Sequence, residues 1–148
     1  MKIVLDSDVV IAGLISSRGG GRFLLQKILP HRSIKILTSR QQLKEITQVF
    51  QRQTFGWKPS SRLWQRFQNR ALTLKLPPLS RFYSYLKDPN DAHILAAAVT
   101  GQASFLISYN LRDYLADKIK NDFDVLVVRP GYFIQFLRES DQYGDLGS

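Results

Sequence analysis

Short apolar runs alternate along the chain with segments in which apolar residues recur at helical spacing. The strand-like runs cover residues 2–5, 33–38, 103–107 and 125–128. Strands separated by helices are typical of a parallel sheet, because each crossover must return the chain to the end where the next strand begins. The pattern therefore predicts an α/β fold, a three-layer α/β/α sandwich with a central parallel sheet.

Capping residues indicate where several helices begin. Ser39, followed three residues later by Gln42, resembles a capping box. Asp88 followed by Pro89 fits an N-cap with proline in the first turn, and Pro130 opens the final helix. The predicted helices include residues 9–15, 23–28, 43–50, 59–75, 92–100 and 114–120, and a last one follows residue 130.

Length and composition set the class of protein. The chain has 148 residues, 44% of them apolar, which suits one domain with a buried core. The absence of cysteine excludes disulfide frameworks, thiolate zinc sites and thiol catalysis. The longest apolar run, residues 9–15, is too short to span a membrane, and no secretory signal precedes the first strand. We expect a cytoplasmic protein with one domain over residues 1–138 and a flexible polar tail over residues 139–148.

Charge is distributed unevenly along the chain. The net charge is +9, and the stretch from Arg18 to Lys87 carries fifteen basic residues and one acidic residue, Glu45. The other acidic residues gather outside this stretch. Such a distribution favours a polyanion held near an acidic site, although a basic, well-solvated surface without a specific partner fits the charge equally well.

Four carboxylates follow strands or open helices, where an open parallel sheet binds its ligands. Asp6 follows the first strand, and Asp113 lies in the loop after the 103–107 strand. Asp91 lies in the first turn of the helix after Asp88, and Glu45 lies early in the helix after the second strand. Together they would repel one another without a cation, and oxygen ligands suit Mg²⁺ or Mn²⁺. Such a site can activate water and hold a phosphodiester for in-line attack.

Each of these carboxylates also has a purely structural interpretation. Three of the four fit helix starts, where a carboxylate caps the helix or complements its dipole. Glu45 fits an ion pair with Arg40 or Lys44. Two further acids, Asp8 and Asp88, fit helix starts better than they fit a ligand set.

Basic and aromatic side chains between residues 57 and 70 suggest a nucleic-acid surface. Arg62, Arg66 and Arg70 recur every four residues on the predicted 59–75 helix, where they contact phosphates or only solvate an exposed face. Three aromatic side chains suit stacking on bases: Trp57, Trp64 and Phe67. For the last two, helical spacing favours core or dimer packing instead.

Four short motifs follow one another along the chain, and a strand–proline–helix segment closes them. They read Lys2-Ile-Val-Leu-Asp-Ser-Asp, Leu37-Thr-Ser-Arg-Gln-Gln-Leu-Lys-Glu-Ile, Asp88-Pro-Asn-Asp-Ala-His and Phe105-Leu-Ile-Ser-Tyr-Asn-Leu-Arg-Asp-Tyr, and the closing segment is Val127-Val-Arg-Pro-Gly-Tyr-Phe. This order resembles the PIN-domain family of metal-dependent ribonucleases, and within it the group identified as toxin components of bacterial type II toxin–antitoxin systems. The resemblance covers roughly residues 1–138.

The resemblance implies a metal-dependent endoribonuclease that hydrolyses RNA phosphodiester bonds. The residues that would bind Mg²⁺ or Mn²⁺ and support catalysis are Asp6, Glu45, Asp91 and Asp113. Ser7, Ser108 and Asn110 would lie at the rim and orient a ligand or the substrate. The family's toxins imply a cognate antitoxin that blocks the site, and homodimers are usual among relatives.

Two departures and three alternatives accompany this interpretation. Asn110 stands where many relatives carry Asp, and Asp8 stands where Asn is common. Both differences change the charge near the expected metal site, so we expect them to alter its metal affinity. The main alternative is a catalytically weak or inactive PIN-like module that still binds RNA. A structure-specific DNA nuclease and a response-regulator-like signalling domain fit less well, because the chain lacks the additional elements and the lysine that these proteins use.

Overall fold

The sheet of this protein has five strands that all run parallel. In the computed structural model, which describes residues 1–16, 18–52 and 58–142, the strand order is β3-β2-β1-β4-β5. The strands are β1 (Lys2–Leu5), β2 (Lys35–Ser39), β3 (Leu72–Leu74), β4 (Phe105–Ile107) and β5 (Leu126–Val128). The predicted α/β fold with a central parallel sheet is confirmed.

Helices cover both faces of the sheet. They are α1 (Ser7–Ile15), α2 (Gly20–Ile28), α3 (Arg40–Arg52), α4 (Ser61–Arg70), α5 (Ala92–Thr100), α6 (Ala116–Phe123) and α7 (Pro130–Gln142). Short 3₁₀ helices span Leu79–Tyr85, Pro89–Asp91 and Leu111–Asp113. Within the described residues, none of the helices has the length and apolar character needed to cross a bilayer.

Alternating side chains of β1 divide the core into two halves. Ile3 and Leu5 are fully buried on one face, in a cluster with residues of α1, α2, α4 and α7. Val4 is fully buried on the other face, in a cluster with residues of α5 and α6. Because successive strand side chains point to opposite faces, both faces of β1 are covered, and this strand lies at the centre of the domain.

Two of the predicted helix caps are confirmed. Ser39 Oγ accepts a hydrogen bond from the backbone N of Gln42 at 3.1 Å, which is the N-cap contact that opens α3. The carboxylate of Asp88 accepts a hydrogen bond from the backbone N of Asn90 at 3.0 Å and opens the 3₁₀ turn before α5. Both caps place a following acidic residue, Glu45 or Asp91, at a defined point of its helix.

The predicted 59–75 helix is wrong over its last five residues, 71–75. The α4 helix ends at Arg70, Ala71 is extended, and Leu72–Leu74 forms the edge strand β3 beside β2. Leu74 fits the apolar stripe of a helix as well as the alternation of a three-residue strand, so periodicity alone did not separate the two. Pairing with β2 decides the outcome. At the other end, α7 continues through Gln142, and residues 143–148 lie outside the described residues.

Gly13 allows α1 and α2 to pack closely, which yields a test of the fold. A Cβ atom at Gly13 would lie 2.6 Å from Leu25 Cδ1 and 2.8 Å from the backbone O of Gly21. We predict that Gly13→Ala lowers the free energy of unfolding by about 1–3 kcal/mol, because the helices must move apart. Urea unfolding followed by circular dichroism measures this change.

Gly131→Ala is the matched control, because a Cβ atom there meets nothing within 4 Å. Gly131 lies in the first turn of α7, so alanine should leave stability unchanged or raise it by up to about 1 kcal/mol through helix propensity. Equal effects of the two substitutions would contradict the close packing of α1 on α2.

Candidate active site

Asp6 lies directly after β1 at the carboxyl edge of the sheet. One carboxylate oxygen, Oδ1, accepts a hydrogen bond from the backbone N of Ser7 at 2.7 Å and caps α1. The other, Oδ2, accepts hydrogen bonds from Ser108 Oγ at 2.8 Å and from Tyr114 OH at 2.7 Å. Burial raises the pKa of Asp6 although these three donors oppose the rise. Asp6 is therefore both a helix cap and a fixed carboxylate at this edge.

Asp8 lies beside Asp6 in the first turn of α1. Its Oδ2 atom accepts hydrogen bonds from the backbone N of Tyr109 at 3.2 Å and from Asn110 Nδ2 at 3.1 Å. Its Oδ1 atom is buried and has no hydrogen-bond partner among the residues that the structure describes. Burial and then the charge of Asp6 raise the pKa of Asp8 to about 6. Asp8 thus belongs to the acidic cluster, and Asn110 is engaged in holding it.

Asp91 brings a third chain segment to the same edge. It ends the Pro89–Asp91 turn, and its side chain makes no capping hydrogen bond to α5. Burial, followed by the charges of Asp6 and Asp113, raises the pKa of Asp91 to about 7. Asp113 ends the Leu111–Asp113 turn. The charges of Asp6 and Asp113 thus act on Asp91 from two other chain segments.

Glu45 faces α5 from α3. Its Oε2 atom lies 3.1 Å from Nε2 of His93, whose side chain is buried. Burial acts to raise the pKa of Glu45, but contacts with His93 and Ser7 outweigh burial and lower the pKa. Within the described part of the chain, this contact with the His93 imidazole replaces the alternative ion pair of Glu45 with Arg40 or Lys44. Glu45 therefore remains ionised beside the acids on β1 and α5.

Two polar side chains that sequence reasoning missed hold this edge together. Gln42 is buried on α3, where its Nε2 donates to the backbone O of Leu5 at 2.6 Å and its Oε1 accepts from Thr38 Oγ1 at 2.5 Å. Tyr114 is buried, and its hydroxyl donates to Asp6. Gln42 had a signal only as part of the capping box, and Tyr114 only as the end of the fourth motif.

Ser7 and Ser108 lie inside the site and not on its rim. Both are buried, with 4% and 0% of their surface exposed. Ser108 Oγ donates to Asp6 and accepts from the backbone N of Asn110 at 3.0 Å. These contacts favour positioning of the carboxylates over direct contact with a substrate. Asn110 is exposed and remains the rim residue of the three.

The three arginines of α4 differ in their surroundings. Arg70 donates hydrogen bonds to the backbone O atoms of Leu29, His31 and Ile34, at the amino end of β2 and opposite the acidic edge. Its guanidinium therefore has a structural role in place of the expected phosphate contact. Arg62 is exposed and Arg66 half-buried on the same helix, so these two remain available to a partner.

The aromatic residues of this region pack as helical spacing favoured. Phe67 is fully buried, and Trp64 stacks on it with ring centroids 5.8 Å apart. Trp64 also meets Phe50 edge-on at 5.9 Å. Core packing of Trp64 and Phe67 is thereby confirmed, whereas Trp57 lies outside the described residues.

The donor set fits a hard divalent cation. Carboxylate oxygens are the ligands that Mg²⁺ and Mn²⁺ prefer. Asp8 Oδ1 is buried and has no hydrogen-bond partner among the described residues, and burial together with the charge of Asp6 raises the pKa of Asp8 and Asp91. Among the residues that the structure describes, no group of three or more His, Cys, Asp or Glu side chains is already placed to hold a metal ion. The carboxylates that could hold one are Asp6, Glu45, Asp91 and Asp113.

A parallel α/β domain with carboxylates from several segments at one sheet edge is an architecture suited to phosphodiester chemistry. The sequence profile of the PIN domain family matches residues 2–112, and the chain belongs to this family. PIN domains are generally nucleases that use divalent metals. The matched range includes Asp6, Glu45 and Asp91 and ends one residue before Asp113.

Solved structures share the fold at low sequence identity. The crystal structure of VapBC2 from Rickettsia felis, bound to a DNA fragment from its promoter, contains a chain with 14% identity and a TM-score of 0.57, covering 87% of this chain and 98% of that one. The structure of FitAB bound to an IR36 DNA fragment contains a chain with 20% identity and a TM-score of 0.56, covering 86% and 94%. A comparison with curated protein sequences finds no match.

The raised pKa of Asp91 predicts a pH-dependent loss of stability in metal-free protein. The pKa of Asp91 is about 7 in the folded state and 3.8 when unperturbed. The stabilising contribution of this carboxyl to the free energy of unfolding is therefore full below pH 3.8 and is lost as the pH rises through 7. We predict that Asp91→Asn, in EDTA, raises the free energy of unfolding at pH 8.5 by about 1–2 kcal/mol, a value reduced because the side chain is half-exposed. At pH 5.5, which lies between the two pKa values, the gain should be about half as large.

Thermal unfolding at the two pH values measures this difference as a shift of a few degrees. Asp117→Asn is the control, because Asp117 is an exposed carboxylate on α6. Added Mg²⁺ should stabilise the wild type more than Asp91→Asn at pH 8.5. A gain for Asp91→Asn that is the same at both pH values would contradict the electrostatic account.

Proposed function

We propose that this PIN domain is a metal-dependent endoribonuclease and the toxin of a toxin–antitoxin pair. The observation that carries the nuclease proposal is Asp6 at the carboxyl edge of β1, held by three hydrogen-bond donors, with its charge acting on Asp91 from another chain segment. The antitoxin partner is proposed from the similarity of the fold to chains of VapBC2 and FitAB. RNA as substrate and a homodimer are proposed from the order of the motifs.

In this proposal, Asp6, Glu45, Asp91 and Asp113 hold Mg²⁺ or Mn²⁺. The bound cation would neutralise the carboxylates and polarise both the scissile phosphodiester and the attacking water. The chain's own contribution is to keep these oxygens in place before substrate arrives. Fixed orientation of charged groups lowers the reorganisation needed during reaction.

The hydrogen bonds around Asp6 and Asp8 perform this orientation. Ser108 and Tyr114 donate to one oxygen of Asp6, while the backbone N of Ser7 holds the other. Asn110 and the backbone N of Tyr109 hold Asp8 in the same way. Partners of metal-binding groups typically contribute about 10- to 100-fold to metal affinity or activity.

In this proposal, the contacts to phosphate come from two arginines of α4. Arg62 and Arg66 are the two arginines of α4 whose guanidinium groups are not engaged as that of Arg70 is. Basic side chains beside a nuclease site neutralise the RNA backbone and make binding sensitive to salt. Asn110, at the rim, is the proposed polar contact to the substrate.

Cleavage of a mixed RNA pool with Mg²⁺ or Mn²⁺ tests the nuclease proposal. We expect the wild type to cut RNA, EDTA to abolish cutting, and Asp6→Asn and Asp91→Asn each to reduce the rate by at least roughly 100-fold, because both remove a charged oxygen ligand. Asp117→Asn, on α6 outside the carboxylate cluster, should cut at the wild-type rate. Matched DNA should be cut much less.

Equal cutting by Asp91→Asn and wild type would mean that the site lies elsewhere. Retained RNA binding without cutting by any variant would instead favour the inactive RNA-binding module. Preferred cutting of the matched DNA would favour a DNA nuclease.

Growth of bacteria on induced expression tests the toxin part of the proposal. We expect the wild type to arrest growth and Asp91→Asn to leave growth at the rate of the uninduced control, because the variant lacks a proposed metal ligand. Both proteins should accumulate in folded form. Immunoblots of the soluble fraction check that accumulation. Arrest by both variants would show that toxicity does not depend on the carboxylate site.

A further inference from the structure

An apolar groove lies beside the carboxylates and has no role in the site described so far. It runs between the loop after β4, the edge strand β5 and the first turn of α7, and its volume is about 860 Å³. Its walls include Tyr109, Leu126, Val128, Arg129 and Tyr132. We name it the β5 groove. Its volume falls within the roughly 300–1,000 Å³ range of clefts that bind small ligands.

The β5 groove is continuous with the acidic edge through Tyr109. The backbone N of Tyr109 donates to Asp8 Oδ2 at 3.2 Å, while its phenol ring lines the groove. Burial and the nearby charge of Asp8 raise the pKa of the Tyr109 hydroxyl. A molecule lying in the groove would therefore contact Tyr109, the residue whose backbone N also donates to Asp8.

The surface of the groove suits a nucleobase joined to a phosphate. Tyr132 is 58% exposed and Tyr109 is 39% exposed, so two phenol rings are open to a ligand. Arg129 is exposed at the same wall, and the residues lining the groove include no acid. Aromatic faces stack on bases of any sequence, and a cation beside them neutralises the adjoining phosphate.

We propose that the β5 groove binds the nucleotide adjacent to the scissile phosphate of single-stranded RNA. Tyr132 and Tyr109 stack on its base, and Arg129 contacts its phosphate. This inference rests on the proposed ribonuclease function and assigns to it a substrate subsite. It favours an unpaired nucleotide, because a base in a duplex must first break its pairing and stacking to enter the groove.

Tyr132→Leu tests the groove, with Tyr132→Phe as the variant that keeps the aromatic face. Tyr83→Leu is the control, because Tyr83 is 47% exposed on the Leu79–Tyr85 turn and is not among the groove's lining residues. Two quantities are measured with a labelled single-stranded RNA: binding by fluorescence anisotropy in EDTA, and the concentration dependence of single-turnover cleavage in Mn²⁺. The same RNA with abasic nucleotides completes a double-mutant cycle.

We expect Tyr132→Leu to raise both the Kd and the protein concentration at half-maximal rate by about 5- to 100-fold, with the maximal rate little changed. Tyr132→Phe and Tyr83→Leu should resemble the wild type. On abasic RNA the difference between Tyr132→Leu and wild type should disappear, because no base remains to stack.

The remaining outcomes overturn either the groove proposal or the ribonuclease proposal, and they distinguish between the two. Equal effects of Tyr132→Leu and Tyr83→Leu, an undiminished difference on abasic RNA, or no RNA binding by wild type overturns the groove proposal. Stacking-dependent binding without cleavage retains the groove and overturns the ribonuclease. A dimer that Tyr132→Leu converts to monomer, with RNA binding unchanged, would assign the groove to a second copy of the chain and overturn the RNA subsite.

Discussion

Repulsion between carboxylates at the end of β1 is the constraint on which the rest of the site depends. Asp6 and Asp8 are two residues apart, and Asp91 comes from another segment; beside burial, the charge of Asp6 raises the pKa of both Asp8 and Asp91. The fold opposes this repulsion with donors from distant parts of the chain, among them Ser108 and Tyr114. The apolar side chains of β1, buried on both faces, anchor the strand that carries the cluster. Packing energy in the core thus sustains an electrostatically unfavourable arrangement at the edge.

Strong local patterns in the sequence were enough to predict most of the fold. β1, β2, β4 and β5 are apolar runs, and caps such as Ser39 mark helix starts through contacts that span a few residues. β3 could not be predicted in this way, because only its pairing with β2 distinguishes Leu72–Leu74 from the end of a helix. A local sequence pattern predicts a helix or strand correctly when nearby residues decide the structure. The prediction fails where pairing with a distant strand decides it.

The same division applies to the site. The acids could be proposed as site residues because Asp6, Asp91 and Glu45 follow strands or helix caps at positions that a parallel sheet is expected to bring to one edge. The structural roles of Tyr114 and Arg70 were not predicted, because both depend on distant partners. Tyr114 donates to Asp6, 108 residues away, and Arg70 donates to carbonyls 36 to 42 residues away. Arg70 matched the spacing of a phosphate-binding face, yet its guanidinium ties α4 to backbone carbonyls of the segment that joins α2 to β2. A charged side chain can therefore serve the fold in a pattern that suggests a ligand.

Placing the first strand at the centre of the sheet has a consequence for synthesis of the protein. β1 is synthesised well before its neighbour β4, which begins at Phe105, and Asp6 accepts a hydrogen bond from Tyr114, which follows β4. A nascent chain that ends before Tyr114 therefore carries Asp6 without one of the groups that orient it. Since non-local parallel pairing forms slowly, assembly of this edge is a late event of folding. The strand order therefore prevents the site from being completed before β4 and Tyr114 have been synthesised.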